Sequence, residues 1–466
     1  MVVPWTVPEM IEATGGRLTL GNAECLIARI STDTRQLQAG DCFVALTGEN
    51  FDGHDFVQNA IRKGAIAVVV SRRHEDIKVD AWDSVSVLEV QDTLYALGEL
   101  ARRFRQRFRI PVVGITGSNG KTSTKEMLAS ILSGKREVLK NKGNFNNLIG
   151  VPLTLLSLGP QHEVAVVEMG INIPGEMERL AEITSPTVGL ITNIHPAHLE
   201  GLHSLDNILR EKTRLWMRLR AEDLAVVNMD DDRLSGFVEK IRAHTLTYSL
   251  RDPSALVRLD GEVRQQNGRS QFYVAVGGKK VEVHLNVLGM HQVQNAVAAA
   301  AVAWGMGESP ESIVEGLSKH RPVFQRMQAH PLPDGGTLID DTYNANPQSM
   351  IAAVRAAIFA SKDRPLVVVL GEMRELGEES PSLHREVGLE IGKLGVTSLI
   401  TLGDLAAEIA KGAREAGMQA TACYHACSHK EIVDWLFKRR PEGAWVLVKG
   451  SRGMKMEAII KEFLAQ

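Results

Sequence analysis

The chain has 466 residues, of which 44% are hydrophobic and 23% charged, with a formal net charge of -3 at pH 7. This composition is that of a globular protein, and at roughly 100–200 residues per domain it fills two to four domains. The charge balance gives no general pull toward nucleic acid or anionic membrane, and four cysteines do not suggest a disulfide framework.

The N-terminus, MVVPWTVPEM, has no basic start and no continuous apolar run, so no signal peptide is expected. The most apolar helix candidate, AVAAAAVAW (296–304), is shorter than the ~20 residues a membrane span needs. The expectation is a soluble, cytoplasmic, reduced protein, monomeric and without membrane insertion.

A first block, 1–90, holds short strands such as CFVAL (42–46) and a helix-to-strand unit, HDFVQNAIRKGAIAVVV (54–70). It reads as a small α/β domain. A second block, 91–320, opens with the helical stretch DTLYALGELARRFRQRF. Its arginines, 102, 103, 105, 107 and 109, invite a nucleic-acid reading. However, Leu97, Leu100, Phe104 and Phe108 recur at helical spacing, so one buried face and one solvated basic face are expected instead. Strands EVAVVEMG (163–170) and TVGLITNI (187–194) follow, separated by helix EMERLAEI, and the block ends in a long helix, QVQNAVAAAAVAWGMG.

The third block, 321–466, alternates again: GTLIDD, a helix near SMIAAVRAAI, PLVVVLGE, a helix near HREVGLEIGKL, SLITLGD, then AWVLVKG and a closing helix. Alternation of this kind predicts open, mostly parallel sheets. Ligands then bind beyond the carboxyl ends of the strands, where Asp340–Asn346, Glu372–Glu375 and Lys449–Arg452 fall.

The chemistry starts at VVGITGSNGKTSTKEM (112–127). An apolar strand meets a glycine-rich turn, then Lys121, Thr122 and a helix. Gly117 and Gly120 let backbone N–H groups turn toward phosphate oxygens, Lys121 supplies charge, and the Thr122 hydroxyl suits Mg²⁺. The pattern departs from strict G-x-x-x-x-G-K-[ST], because Ile115 stands where the first glycine belongs and the glycine lies at Gly114. Glu168 ends the next strand and is placed to hold Mg²⁺ directly or through water. The fold expected is therefore α/β in three domains: a central P-loop, doubly wound, mostly parallel sheet between a small N-terminal α/β domain and a C-terminal Rossmann-like α/β domain.

His195, His198 and His203 follow another strand end, but their spacing matches no zinc motif. One of them could serve a magnesium–phosphate site, and spacing alone leaves the choice open. Cys423, His425, Cys427 and His429 lack C-x-x-C spacing and a second ligand pair, so incidental residues in a strand-to-loop stretch are expected there.

Taken together, GITGSNGKT, NKGNFNNLIGVPLTLL, VVEMG, TNIHPAHLE and NAVAAAA resemble the Mur ligases, ATP-dependent amide-bond ligases of peptidoglycan synthesis. IDDTYNANPQSM, LGEMRELGEES and STDTRQLQAGDCFVALTGENFDGHDF resemble the member that adds D-alanyl-D-alanine. The likeness spans all three blocks. It implies that Thr116, Gly117, Ser118, Asn119, Gly120, Lys121 and Thr122 hold the ATP phosphates, with Glu168 on Mg²⁺ and His198 on a second Mg²⁺.

Lys212 matches a lysine that the family often carries carbamylated, although LREKTRL has Glu211 where alanine is more usual. Asn295 matches an adenine contact, for which a helix-capping asparagine is the plainer alternative. Arg326 matches a γ-phosphate contact, and Asp341 an acid near the ribose, with Asp340 leaving the register open. Lys449, at a strand end, could meet phosphate or the incoming dipeptide, with a surface lysine in a turn as the alternative, and Asn344 and Asn346 are expected at the substrate. Ser31, Asp33 and Arg35 are implied at the UDP end of the substrate, and Asn144, Asn146 and Asn147 at its sugar–peptide portion.

The implied substrates are UDP-MurNAc-tripeptide and D-Ala-D-Ala, and the implied route is an acyl phosphate sheltered from water by closure of the C-terminal domain. Other readings are another amino-acid-adding or folylpolyglutamate-type ligase, a P-loop switch driven by hydrolysis, and a non-catalytic nucleotide scaffold.

Overall fold

The computed structural model describes residues 4–48, 50–80, 82, 85–266 and 268–465. Three larger sheets organise them. In the first, Ile30–Ser31, Cys42–Val44, Ala67–Val70 and Ser86–Glu89 run parallel, and Arg17–Leu20 joins antiparallel. The strand Ala67–Val70 is buried throughout, as the continuous apolar run of a sheet covered on both faces requires.

Ahead of this sheet, helix Val7–Thr14 starts in a capping box, where Thr6 and Glu9 satisfy each other's backbone N–H. This segment leans on helix Thr93–Arg105: Trp5 stacks on Phe104 at 5.7 Å, and the Arg107 guanidinium lies 4.3 Å over the Trp5 ring. Leu97, Leu100 and Phe104 form the expected buried face. The basic face is less solvated than its sequence predicts. Arg105 is itself buried, donating to the carbonyls of Phe108 and Ile110, because the chain turns back over it to enter the next strand.

In the central sheet, strands Val138–Lys140, Val164–Glu168, Val112–Thr116, Val188–Ile191, Leu224–Asn228, His244–Ser249 and Val257–Leu259 lie parallel in that order. An antiparallel extension follows, which the sequence reading passed over. Arg269–Val276 and Lys279–Leu285 pair across Gly277 and Gly278, both at positive φ, as a tight hairpin turn demands. The alternating burial of RSQFYVAV marks one covered face and one wet face. The alanine-rich helix Met290–Gly305 is buried along most of its length, against helix Lys121–Leu132 and this sheet.

The third sheet orders Gln328–Pro331, Thr337–Asp341, Trp445–Lys449, Leu366–Gly371, Ser398–Leu402 and Cys423–Ala426, parallel except for the first. The carboxyl ends of Val112–Thr116 and Val164–Glu168 open onto one cavity, and so do those of Thr337–Asp341 and Trp445–Lys449. Residues from both sheets line it.

Candidate active site

Strand Val112–Thr116 runs into Gly117 at φ 144° and Gly120 at φ 83°. A Cβ on Gly117 would sit 1.9 Å from Thr192 Oγ1, and one on Gly120 would sit 2.2 Å from Asn295 Oδ1. Both positions therefore need glycine for conformation and for space. The turn is stapled to the loop after Val188–Ile191. Ser118 N–H donates to Asn193 O at 3.0 Å, Asn119 N–H donates to Asn193 Oδ1 at 2.9 Å, and Ser118 Oγ donates to His195 O at 2.8 Å. Helix Lys121–Leu132 then begins at Gly120, so its first-turn N–H groups and the positive end of its dipole face the cavity. Lys121 folds back, donating to Gly117 O at 2.7 Å and Ser118 O at 3.2 Å. Burial pushes its pKa down, with Glu168 opposing and Arg326 adding to the effect.

Glu168 is clamped from behind. Buried Asn141 accepts from Glu168 N–H and donates to Glu168 O, each at 2.9 Å, and Asn146 Nδ2 donates to Glu168 Oε1 at 2.8 Å. Glu168 Oε2 is buried with no hydrogen-bond partner, 3.6 Å from the Nζ of fully buried Lys125. A buried carboxylate oxygen without a donor is costly. A hard cation would satisfy it, so the donor set fits the implied Mg²⁺.

The opposite wall presents Arg326 between Gln325 at φ 59° and Met327 at φ 52°. Left-handed non-glycine residues cost about 1–3 kcal/mol each and persist only where neighbours fix them. Here Gln325 O accepts from Tyr343 N–H at 3.2 Å, and Met327 N–H donates to Asp341 Oδ1 at 3.1 Å. Arg326 lies 4.1 Å over the Tyr343 ring and donates through Nη2 to Thr122 Oγ1 at 3.0 Å. The structure separates the two neighbouring acids. Asp340 accepts from Thr342 in its own turn, whereas Asp341 lines the cavity and receives Lys449 Nζ at 2.7 Å. Lys449 also donates to Asn344 O at 2.8 Å. Asn346 caps helix Pro347–Ser361 and pairs across the cavity with Asn119, donating to its Oδ1 at 2.7 Å and accepting from its Nδ2 at 3.3 Å.

His198, at φ 55°, faces Glu375, at φ 65°, with Nδ1 and Oε2 2.6 Å apart. Of the other two histidines, His195 joins the cavity wall, while His203 ends the short helix Leu199–Leu202. Asn295 is not a helix cap. Its helix starts at Met290 after Gly289, and Asn295 packs over Gly120 one and a half turns in. Lys212 does not line the cavity. It is buried behind it, and burial pushes its pKa well down, with Lys121 adding to the shift.

Asn144 and Asn147 line the cavity on the Asn146 side, and Asn147 Oδ1 caps helix Gly150–Leu155 by accepting from Gly150 N–H at 2.9 Å. Ser31, Asp33 and Arg35 stand outside this cavity, in their own turn, where Arg35 is ion-paired with Asp33 at 2.8 Å. In the Cys–His stretch, His425 pairs with Thr401 and His429 with Met454 O. Among the described residues no three His, Cys, Asp or Glu side chains converge as a metal site.

Sequence reasoning missed Lys125, Asn141 and Asn193, and it reached Tyr343 and Glu375 only as members of polar clusters at strand ends, with no role of their own. Asn141 opens the already notable NKGNFNN stretch, but nothing local says that its amide grips a strand 27 residues away. The residues lining the cavity enclose about 410 Å³. A helix N-terminus and Lys121 on one wall and Arg326 on the other supply positive charge, and a carboxylate oxygen without a hydrogen-bond donor offers a cation seat between them. Such a site can bring two anions together and hold a phosphoryl group.

Comparison with known proteins agrees. Residues 26–105 match the Mur ligase family catalytic domain, 115–303 the Mur ligase middle domain, and 325–452 the Mur ligase glutamate ligase domain. The UDP-N-acetylmuramoyl-tripeptide--D-alanyl-D-alanine ligase of Haemophilus influenzae is 35% identical, covering 95% of this chain and 94% of its own. A MurF structure from Acinetobacter baumannii superposes with TM-score 0.91 at 32% identity, covering all of both chains. MurF ligase from Thermotoga maritima in complex with ADP gives TM-score 0.83 at 28% identity, over 93% of this chain and 96% of that one. With all three domains matched and 35% identity to such a ligase over nearly the full length, the chain belongs to the Mur ligase family.

Proposed function

We propose that the chain joins D-alanyl-D-alanine to the terminal carboxylate of UDP-MurNAc-tripeptide at the expense of ATP, giving UDP-MurNAc-pentapeptide for peptidoglycan. The relatives' names support the substrates. The observation that carries the chemistry is the meeting of the Lys121 loop with Arg326 in the cavity that also holds Glu168, whose Oε2 has no hydrogen-bond donor.

A carboxylate does not condense with an amine at neutral pH, because oxide is a poor leaving group. Transfer of the γ-phosphoryl group to the carboxylate makes an acyl phosphate, which the dipeptide amine attacks with release of phosphate. Lys121 and the helix N-terminus hold the phosphates, and Arg326 neutralises charge as the two anions approach. Thr122, Glu168 and His198 would hold Mg²⁺, which supplies charge neutralisation on the transferring phosphoryl group when bound. Asn295, over Gly120, and Asp341 are proposed for the adenosine end, and Lys449, Asn344 and Asn346 for the incoming dipeptide. Ser31, Asp33 and Arg35 are proposed for the UDP end, where diphosphate would compete with Asp33 for Arg35. Asn144, Asn146 and Asn147 are proposed for the sugar–peptide portion.

Lys212 is a candidate for carbamylation, since burial favours the neutral amine that adds CO₂. Residues 1–90, 91–320 and 321–466 are proposed as the three functional domains. A monomer in the cytoplasm, where ATP is available, fits this chemistry. No helix of the described residues is long and apolar enough to cross a membrane.

The test is phosphate release from ATP with UDP-MurNAc-tripeptide and a choice of amines. Release is expected with D-Ala-D-Ala and not with single amino acids. Equal release with single amino acids, or release needing no amine, would overturn the assignment.

A further inference from the structure

We propose that Glu375 is a positioning residue that sets the tautomer of His198, and that it does so only while the third sheet stands against the central one. The inference rests on the ligase reading for its consequence, not for its geometry. Glu375 Oε2 lies 2.6 Å from His198 Nδ1. An ionised carboxylate only accepts, so Nδ1 carries the hydrogen and, in the neutral ring, Nε2 keeps its lone pair. A carboxylate on one ring nitrogen fixes the ring and raises the basicity of the other, which is how ligating histidines are prepared for a cation.

The two residues belong to loops of different sheets, and each is aimed by a left-handed backbone, at φ 55° and φ 65°. Neighbours fix both conformations. Glu200 N–H donates to Glu375 O at 3.2 Å, and Gly377 faces the Glu200 backbone, where an added Cβ would lie 3.6 Å from Cα. On the Glu375 side, Met373 and Leu376 are buried anchors. Met373 N–H donates to His384 Nε2 at 2.9 Å, and Arg374 N–H donates to Ser451 Oγ at 2.8 Å. Glu375 thus arrives at His198 as part of a rigid loop. Opening the cavity removes it and returns His198 to the Nε2–H form common in water, which blocks the nitrogen a cation would use. Seating of the C-terminal domain and readiness of the metal site then become one event.

The full-length protein labelled with ¹⁵N-histidine reports the tautomer by long-range ¹H–¹⁵N correlation, with His198→Gln assigning the signal. The parent and Glu375→Gln are expected to show Nδ1–H, and Glu375→Leu to show Nε2–H. The Mg²⁺ concentration for half-maximal phosphate release should rise about tenfold or more in Glu375→Leu and stay within about threefold in Glu375→Gln, at an unchanged thermal midpoint. Either readout staying at its parental value in Glu375→Leu overturns the proposal. If the parent joins no dipeptide, the ligase reading fails instead, and the tautomer alone still decides for or against the pair.

Discussion

On the central-sheet wall of the cavity, Glu168 is gripped at its N–H and carbonyl by Asn141 and at Oε1 by Asn146, and Lys121 folds onto its own loop. On the facing wall, Asp341 and Lys449 hold each other at 2.7 Å, and Arg326 and Glu375 ride on left-handed segments. The first wall is fixed by backbone and buried amides. The second reaches across through few polar contacts, among them Arg326 to Thr122, Asn346 to Asn119, Glu375 to His198 and Glu200 N–H to Glu375 O. A wall of the first kind suits the phosphates, which must not move during transfer. A wall of the second kind can detach to admit substrate and reseat to exclude water.

The sharpest way to break this contrast is on the fixed wall. Lys121→Ala removes the cation of the phosphate turn, and pentapeptide formation should fall by about 10²–10³-fold or more. Near-parental turnover would mean that the phosphates are held elsewhere.

Acidification probes the junction of the two walls. Burial pushes His291 down to about 4, with Asp341 opposing and Lys449 adding to the shift, and burial likewise pushes His320 down to about 4. Between pH 6.5 and pH 4 the unfolded chain therefore binds protons that the folded chain does not. Stability is full above that window and falls as pH drops through it, by at most about 1.4 kcal/mol per pH unit for each histidine. Thermal denaturation should show the fall, and His291→Gln should make it shallower. An identical pH slope in that variant would contradict the lowered pKa of His291.

The smallest effect sharpens the detachable side. In a cycle of Asn119→Ala, Asn346→Ala and the double variant, coupling of about 0.5–1.5 kcal/mol is expected in the open–closed balance, measured as a distance distribution between labels on the two domains. Asn346→Ala also removes a helix cap worth about 1 kcal/mol, which should appear in thermal stability and not in the distances. Fully additive distances would rule out a clasp.

Much of the fold was legible, because continuous runs such as AVVV, VAVVE and LVVVLG announce parallel strands, and Gly117 and Gly120 announce a phosphate turn. The hairpin of Arg269–Val276 and Lys279–Leu285 was not, since its polar alternate residues hide it from a search for apolar runs. Likewise Lys121 and Thr122 were found through the phosphate-turn pattern, Glu168 through its place at a strand end and Arg326 through the family resemblance, and the structure brings them to one cavity. Asn141, Lys125 and the pairing of Glu375 with His198 escaped because the partners are distant in sequence. The burial of Arg105 escaped because helical periodicity assigns a face but not what the chain later lays over it.

The central claim is that the cavity turns a carboxyl group into a mixed anhydride for an amine to capture. Mass spectrometry of products from ATP, UDP-MurNAc-tripeptide and D-Ala-D-Ala tests it most directly. The expected result is UDP-MurNAc-pentapeptide formed in step with ADP and phosphate; ADP and phosphate accumulating with no joined peptide would contradict it.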